Sequence, residues 1–156
     1  MQVKFSIVFL FANFLVCTSF SQNSSVNLDY PFKKYSTSKE ALRVVKVGEL
    51  TFTGGTNQFK TRILKALKDK PTFAGHCIVV VWGCGASCQQ SAIINLKTKK
   101  VLVGPNSATG FLYYLNSRLL VANPFYEDSP DYISKTTNLY LLQRERLNLI
   151  KTIINN

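Results

Sequence analysis

One stretch of the sequence constrains the fold more than any other. Residues 73–101 read FAGHCIVVVWGCGASCQQSAIINLKTKKV and contain three of the four cysteines, the sole histidine and the sole tryptophan. Two apolar runs rich in β-branched residues, separated by a short tip of glycine, alanine and serine, are typical of antiparallel strands joined by a tight turn. The stretch therefore predicts a β-hairpin whose tip lies between Cys84 and Cys88.

The first residues of the chain indicate the redox environment of these cysteines. They read MQVKFSIVFLFANFLVCTSFSQ, with one early lysine, an apolar run and small polar residues up to Ser21, which is typical of a secretory signal peptide cleaved before Gln22. The apolar run is shorter than the roughly 20 residues that a spanning helix needs. A lipoprotein anchored at Cys17 is the alternative, and the branched Val16 before it disfavours that processing. We therefore expect a periplasmic or extracellular protein with no transmembrane segment in the mature chain.

The cysteines that remain after cleavage predict one disulfide. Cys77, Cys84 and Cys88 are an odd set, which leaves one pair and one further thiol in an oxidising compartment. If Cys84 and Cys88 are directly opposed, their Cα atoms are roughly 4.5 to 5.5 Å apart, a distance that a disulfide tolerates. Residue 82 then faces 90, 80 faces 92, 78 faces 94 and 76 faces 96. One face of this hairpin is almost wholly apolar: Ile78, Val80, Trp82, Ala92, Ile94 and Leu96.

The same register argues against a metal centre or a catalytic dyad. Eight residues of strand separate His76 from Cys84, roughly 26 Å at about 3.3 Å per residue, so the two side chains cannot share a metal ion or a proton. We therefore predict no metal ligands, no cofactor and no catalytic residues. Cys77 is expected to be a buried small hydrophobe, although an exposed thiol at this position could link two chains.

Four residues of the hairpin form a candidate ligand surface: Trp82, Gln89, Gln90 and His76. Each also has a simpler structural interpretation. Trp82 suits a core anchor, the glutamine amides suit hydrogen bonds to the tight loop, and His76 suits the end of a strand. The CGASC loop has three residues between its cysteines and lies on a hairpin tip, which favours a structural disulfide over thioredoxin-type exchange.

The rest of the chain predicts an α+β fold that is mainly β. Residues 41–53 are interpreted as one or two short strands, and Thr56 as the cap of one amphipathic helix over residues 57–68, near the N-terminus. The strands that follow are joined by short turns, as in an antiparallel meander sheet; they are predicted over residues 75–82, 90–96, 101–103, 111–115, 118–123, 139–144 and 147–153. The last two could form one helix instead, but their alternation favours a hairpin. The expected organisation is a signal peptide (1–21), an extended polar arm (22–40) and a single β-rich globular domain (41–156).

The charge balance indicates an anionic partner. Lys and Arg total 19 and Asp and Glu total 8; removal of Lys4 with the signal peptide leaves 19 less one, or 18, basic residues and a formal charge of +10. Export disfavours nucleic acid, so we expect anionic envelope polymers or a protein as partners. Because the lysines are scattered over the whole chain rather than gathered in one block, a solvated basic surface is the simpler explanation for them.

A local motif resembles a family of small exported bacterial proteins of unassigned function. It joins F-A-G-H to W-G-C-G-x-x-C-Q, rests on Trp82, Gly83, Cys84, Gly85, Cys88 and Gln89, and belongs to a resemblance that covers residues 71–151. This sequence departs from the pattern at Cys77, where an aromatic residue is expected, and at Lys99, where glycine is expected. The resemblance brings no reaction with it.

Two classes of function follow from these observations. The first is an exported, non-catalytic binding or inhibitor-type module with a basic surface. The second is a small envelope enzyme or thiol-redox protein that uses the loop from Trp82 to Gln89, with an acid or base from Glu127, Asp128 or Asp131. The sequence favours the first class, because nothing in it pairs these carboxylates with a nucleophile.

Overall fold

A computed structural model describes residues 29–38, 49–126 and 134–155 of the chain. In this part the protein is mostly strand, with one short α-helix, which confirms the predicted mainly-β class. The predicted signal peptide, most of the predicted strands over residues 41–53, and Glu127, Asp128 and Asp131 lie outside the described residues. The elements are β1 Thr51–Phe52, α1 Lys60–Ala66, β2 Cys77–Gly85, β3 Cys88–Asn95, β4 Lys100–Val103, β5 Phe111–Tyr113, β6 Leu119–Ala122, β7 Thr136–Gln143 and β8 Arg146–Ile154.

The strands form two four-stranded sheets rather than one meander. The first has the order β1-β4-β3-β2 and the second the order β5-β6-β7-β8. Neighbouring strands are antiparallel except β1 and β4, which are parallel. The predicted antiparallel meander is therefore wrong in two respects: the strands form two sheets, and β1 pairs with β4 in parallel. The connection over residues 104–110 contains Pro105, whose nitrogen cannot donate to a strand ladder, and there the chain leaves the first sheet and enters the second.

The two sheets pack face to face around a shared core. Cys77, Val79 and Ile93 of the first sheet lie in one apolar cluster with Leu120 and Leu142 of the second. The other face of the first sheet is covered by α1, and the other face of the second by residues 30–35. Both faces of residues 77–80 in β2 and 91–95 in β3 are therefore buried, which explains why these segments read as nearly continuous apolar runs.

The helix lies within the predicted residues 57–68 but is shorter, and the prediction that it is near the N-terminus is wrong. A 3₁₀ turn, Thr56–Phe59, precedes α1, and no side chain caps either segment. The hydroxyl of Thr56 donates to the carbonyl of Thr53 at 2.8 Å, so this residue tightens the preceding turn. The helix follows both the 30–35 segment, which packs on the second sheet, and β1. The predicted apolar face is correct, since Ile63 is fully buried against the first sheet.

The two C-terminal segments form a hairpin, as predicted, and the alternative helix is wrong. β7 and β8 pair from Thr136 with Ile154 to Gln143 with Arg146. The two turn residues between them, Arg144 and Glu145, both have positive φ, 44° and 64°. That is the backbone of the two-residue turns whose twist matches paired strands.

The turn between β3 and β4 also uses a left-handed residue. Asn95 Oδ1 accepts the backbone N–H groups of Lys97 and Thr98, at 3.0 and 3.1 Å, and Lys99 has a φ of 58°. Glycine adopts this conformation without a steric penalty, whereas lysine does not. The position where the motif expects glycine is thus one that the backbone geometry suits to glycine.

Candidate functional site

The hairpin tip is closed by the predicted disulfide. Cys84 and Cys88 are bonded, with their Cα atoms 5.1 Å apart. The predicted pairings of 78 with 94, 80 with 92 and 82 with 90 are correct. The two cysteines are not directly opposed, however, because the register shifts between Gly83 and Gly85, and Gly85 pairs with Cys88. The shift leaves a two-residue turn, a favoured hairpin connection, and a bulge absorbs the additional residue.

Trp82 is mainly a core residue. Its side chain is 8% exposed, and its ring lies 4.5 Å from that of Phe59, which precedes α1. The indole N–H donates a hydrogen bond to Oε1 of Gln90, the residue opposite on β3, at 3.0 Å. Trp82 therefore connects the hairpin to the helix, and the amide oxygen of Gln90 is occupied by that role.

The other members of the candidate ligand surface are divided between the two ends of the hairpin. The backbone of Gln89 exchanges two hydrogen bonds with Ser107, at 2.7 and 2.8 Å, which ties the connection between the sheets to the tip. His76 precedes β2 at the end away from the tip, where its carbonyl accepts the N–H of Leu96 at 3.1 Å. The structure thus brings Trp82, Gln89 and Gln90 together and separates His76 from them.

Cys77 and two neighbouring tyrosines belong to the core between the sheets. Cys77 is fully buried, which fits the small hydrophobe that the sequence predicts and does not fit an exposed thiol that links chains. Burial raises the pKa of Tyr113 and of Tyr140, which pack against the same cluster. These groups explain core packing and do not contribute to a site near Trp82.

A basic groove runs between α1 and the edge strand β2. Its cavity has a volume of about 490 Å³, and among the described residues that line it Asp69 is the single acidic one. The characteristic residues of this basic groove are Arg62, Lys65, Lys68, Val81 and Trp82. The three cations are exposed, and Val81 is 39% exposed. A second cavity, of about 390 Å³, lies beside the disulfide and shares Val81 and Trp82 with the groove.

The sequence pattern predicts a solvated basic surface and does not connect the basic helix residues with the hairpin. A signal was present in their spacing, since Arg62 and Lys65 are three residues apart and therefore neighbours on one side of a helix. Their proximity to Trp82 could not be inferred, because it depends on how α1 packs across β2. In the described ranges, no three His, Cys, Asp or Glu side chains lie close enough together to hold a metal ion.

Comparisons place no known protein beside this one. Protein-family models, characterised proteins and solved structures yield no match to the chain. Among the residues that the structure describes, no helix has the length and apolar character needed to cross a membrane. The function must therefore be argued from the geometry of the basic groove.

Proposed function

We propose that this protein is an exported, non-catalytic binding module whose basic groove holds an acidic polymer of the cell envelope. The observation that carries the proposal is the combination of Arg62, Lys65 and Lys68 with an apolar strand wall in one cavity. The disulfide supports the exported location, because such bonds persist in oxidising compartments. The resemblance of residues 71–151 to small exported proteins agrees with this location and remains a prediction.

The arrangement of the cations suits a chain of regularly spaced negative charges. Arg62 and Lys65 lie roughly 4.5 Å apart along the helix axis, since an α-helix rises about 1.5 Å per residue. Lys68 follows just past the end of the helix and extends the row. Flexible lysine side chains can pair with negative charges at varied positions. The planar guanidinium of the arginine can form two parallel hydrogen bonds with a carboxylate or phosphate.

The strand side of the groove offers apolar contact. Val80, Val81 and Trp82 line this side, and Val81 is exposed, so the faces of sugar rings could pack against this wall while their acidic groups contact the helix. The lining residues that the structure describes include no histidine, cysteine, serine or threonine, and Asp69 is the one carboxylate among them. These features favour binding over catalysis.

The thiol-redox alternative depends on the disulfide at the hairpin tip. Cys84 is exposed there, but the bond lies between strands and not at a helix N-terminus, which would lower the pKa of a reactive thiol. Cross-strand placement supports a structural role for the bond.

The test measures binding of the purified protein to polygalacturonate and to poly(glycerol phosphate) over a range of salt concentrations. We expect affinity to fall as salt rises, and Arg62→Gln/Lys65→Gln/Lys68→Gln to weaken binding by at least about tenfold. The matched control, Lys33→Gln/Lys135→Gln/Lys151→Gln, removes the same charge from exposed positions outside the groove. An equal loss in both variants, or affinity independent of salt, would contradict the proposal. Release of new chain ends from either polymer would show catalysis.

A further inference from the structure

A second basic cavity lies on the second sheet, away from the residues of the basic groove. It has a volume of about 630 Å³ and is lined by Arg118, Gln143, Arg144, Arg146 and Asn148. These described lining residues form an arginine cavity with three guanidinium groups, two amides and no carboxylate among them. Nothing in the proposed polymer site uses these residues.

The β7–β8 hairpin builds most of the arginine cavity. Gln143 and Arg146 are directly paired, and Asn148 follows two residues along β8, so all three lie on the same face of the sheet. Arg144 occupies the first position of the left-handed turn. These four residues are close in sequence, and a regular hairpin fixes their relative positions.

Arg118 reaches the cavity from a distant part of the chain. Its backbone N–H donates to the carbonyl of Tyr35 at 2.9 Å, and its own carbonyl accepts the N–H of Leu142 at 3.0 Å. Its backbone is therefore anchored on both sides, and the residue is half-buried, whereas Arg144 and Arg146 are exposed. An anchored arginine at one wall and two exposed ones at the hairpin can close around a small anion from different directions.

The charges of the arginine cavity are not balanced within the described part of the protein. The acid nearest in sequence is Glu145, and its Oε2 accepts from Nζ of Lys100, on the first sheet, at 2.5 Å. Among residues 29–38, 49–126 and 134–155, Arg118, Arg144 and Arg146 form no ion pair. Three like charges in one cavity repel each other, and a multiply charged anion would relieve that repulsion.

We propose that the arginine cavity binds a phosphate monoester or diphosphate group. Guanidinium forks match phosphate oxygens with paired hydrogen bonds, and the amides of Gln143 and Asn148 can donate to the remaining oxygens. The cavity is of the size that holds a whole small molecule, so the phosphate is carried on a larger group. That group is a soluble sugar phosphate or a lipid headgroup.

The experiment uses titration calorimetry of the purified protein with inorganic pyrophosphate and with glucose 1-phosphate. Arg144→Asn/Arg146→Gln removes two exposed charges, and asparagine tolerates the left-handed backbone at position 144. We expect this variant to lose at least about tenfold in affinity, because two guanidinium groups that form charge-assisted hydrogen bonds with phosphate are removed. The matched control is Lys33→Gln/Lys135→Gln, which should bind both compounds as the unmodified protein does.

Three outcomes would overturn the inference: no binding of either compound, an equal loss in the control variant, or full affinity in Arg144→Lys/Arg146→Lys, which keeps the charge and removes the forks. Phosphatidylcholine vesicles with and without phosphatidic acid distinguish the two sources. Binding to the phosphatidic acid vesicles supports a lipid headgroup, and binding to glucose 1-phosphate alone supports a soluble ligand. The basic-groove variant Arg62→Gln/Lys65→Gln/Lys68→Gln should retain pyrophosphate binding. A failure of one proposed site can therefore be distinguished from a failure of the other.

Discussion

The indole nitrogen of Trp82 donates a hydrogen bond to Oε1 of Gln90, directly across the β2–β3 pair, at 3.0 Å. The same ring packs against Phe59 beside the helix. One side chain therefore connects the two strands of the hairpin with the turn before α1, the helix that forms the other wall of the basic groove. The hydrogen bond between Trp82 and Gln90 therefore stabilises the strand wall of the proposed site, while the helix cations contact the ligand.

Loss of the Gln90 acceptor should destabilise the fold. In Gln90→Leu the buried indole N–H has no partner, and leaving such a donor unsatisfied costs about 1 to 3 kcal/mol. Gln90→Glu keeps an acceptor and should lie closer to the unmodified protein. Urea unfolding followed by fluorescence of the sole tryptophan measures the difference. If the leucine variant unfolds at the original urea concentration, the hydrogen bond contributes no net stability.

Removal of the disulfide should lower stability moderately. The loop that it closes is short, with a sequence separation of 4, so the chain-entropy estimate for Cys84→Ser/Cys88→Ser is a loss of about 2 kcal/mol. Guanidinium unfolding of the double variant and of the reduced, alkylated protein should give similar losses. Unchanged stability in both would show that strand pairing alone holds the tip. Because the bond is assigned a structural role, polymer binding below the unfolding transition should persist.

Glycine at position 99 should give a more stable protein than alanine. Lys99 has a φ of 58°, a conformation that costs a residue with a side chain roughly 1 to 2 kcal/mol. Both Lys99→Gly and Lys99→Ala remove the exposed ion pair with Glu49, so their comparison isolates the backbone effect. We expect the glycine variant to be more stable by about 1 kcal/mol in thermal or urea unfolding. The opposite order would mean that the turn relaxes to another conformation.

Asn123, which follows β6, should be critical for stability because its side chain holds the segment that crosses between the sheets. Its Oδ1 accepts from Ser107 Oγ at 2.8 Å and from the N–H of Ala108 at 2.6 Å, while its φ is 54°. Asn123→Ala loses both the acceptor and the tolerance of this backbone, and we expect a loss of about 2 kcal/mol or more.

Two further substitutions at Asn123 separate those effects. Asn123→Gly keeps the backbone freedom and loses the acceptor, whereas Asn123→Asp keeps both. The expected order of stability in urea unfolding is aspartate, glycine, alanine. If glycine and alanine are equally stable, the backbone conformation carries none of the effect.

The sequence by itself determined the local pairings of this protein. The register of residues 78–82 with 90–94 follows from side-chain alternation and from the two cysteines, and the C-terminal hairpin follows from its alternating apolar residues. Both pairings join neighbouring segments through short turns, so few alternative partners compete. The small error at the tip arose because turn geometry, which favours two residues, prevailed over direct opposition of the cysteines.

Only the tertiary structure decided how these hairpins combine. The parallel pairing of β1 with β4 aligns Thr51 with Lys100 and Phe52 with Val101, residues that lie far apart in the sequence, and no local pattern specifies it. The same holds for both proposed sites. Lys65 lines the same cavity as Trp82, and Arg118 the same cavity as Arg146, only because of how the elements pack. An apolar face records that it must be buried, but the face that covers it is selected by the shape and volume of the whole core.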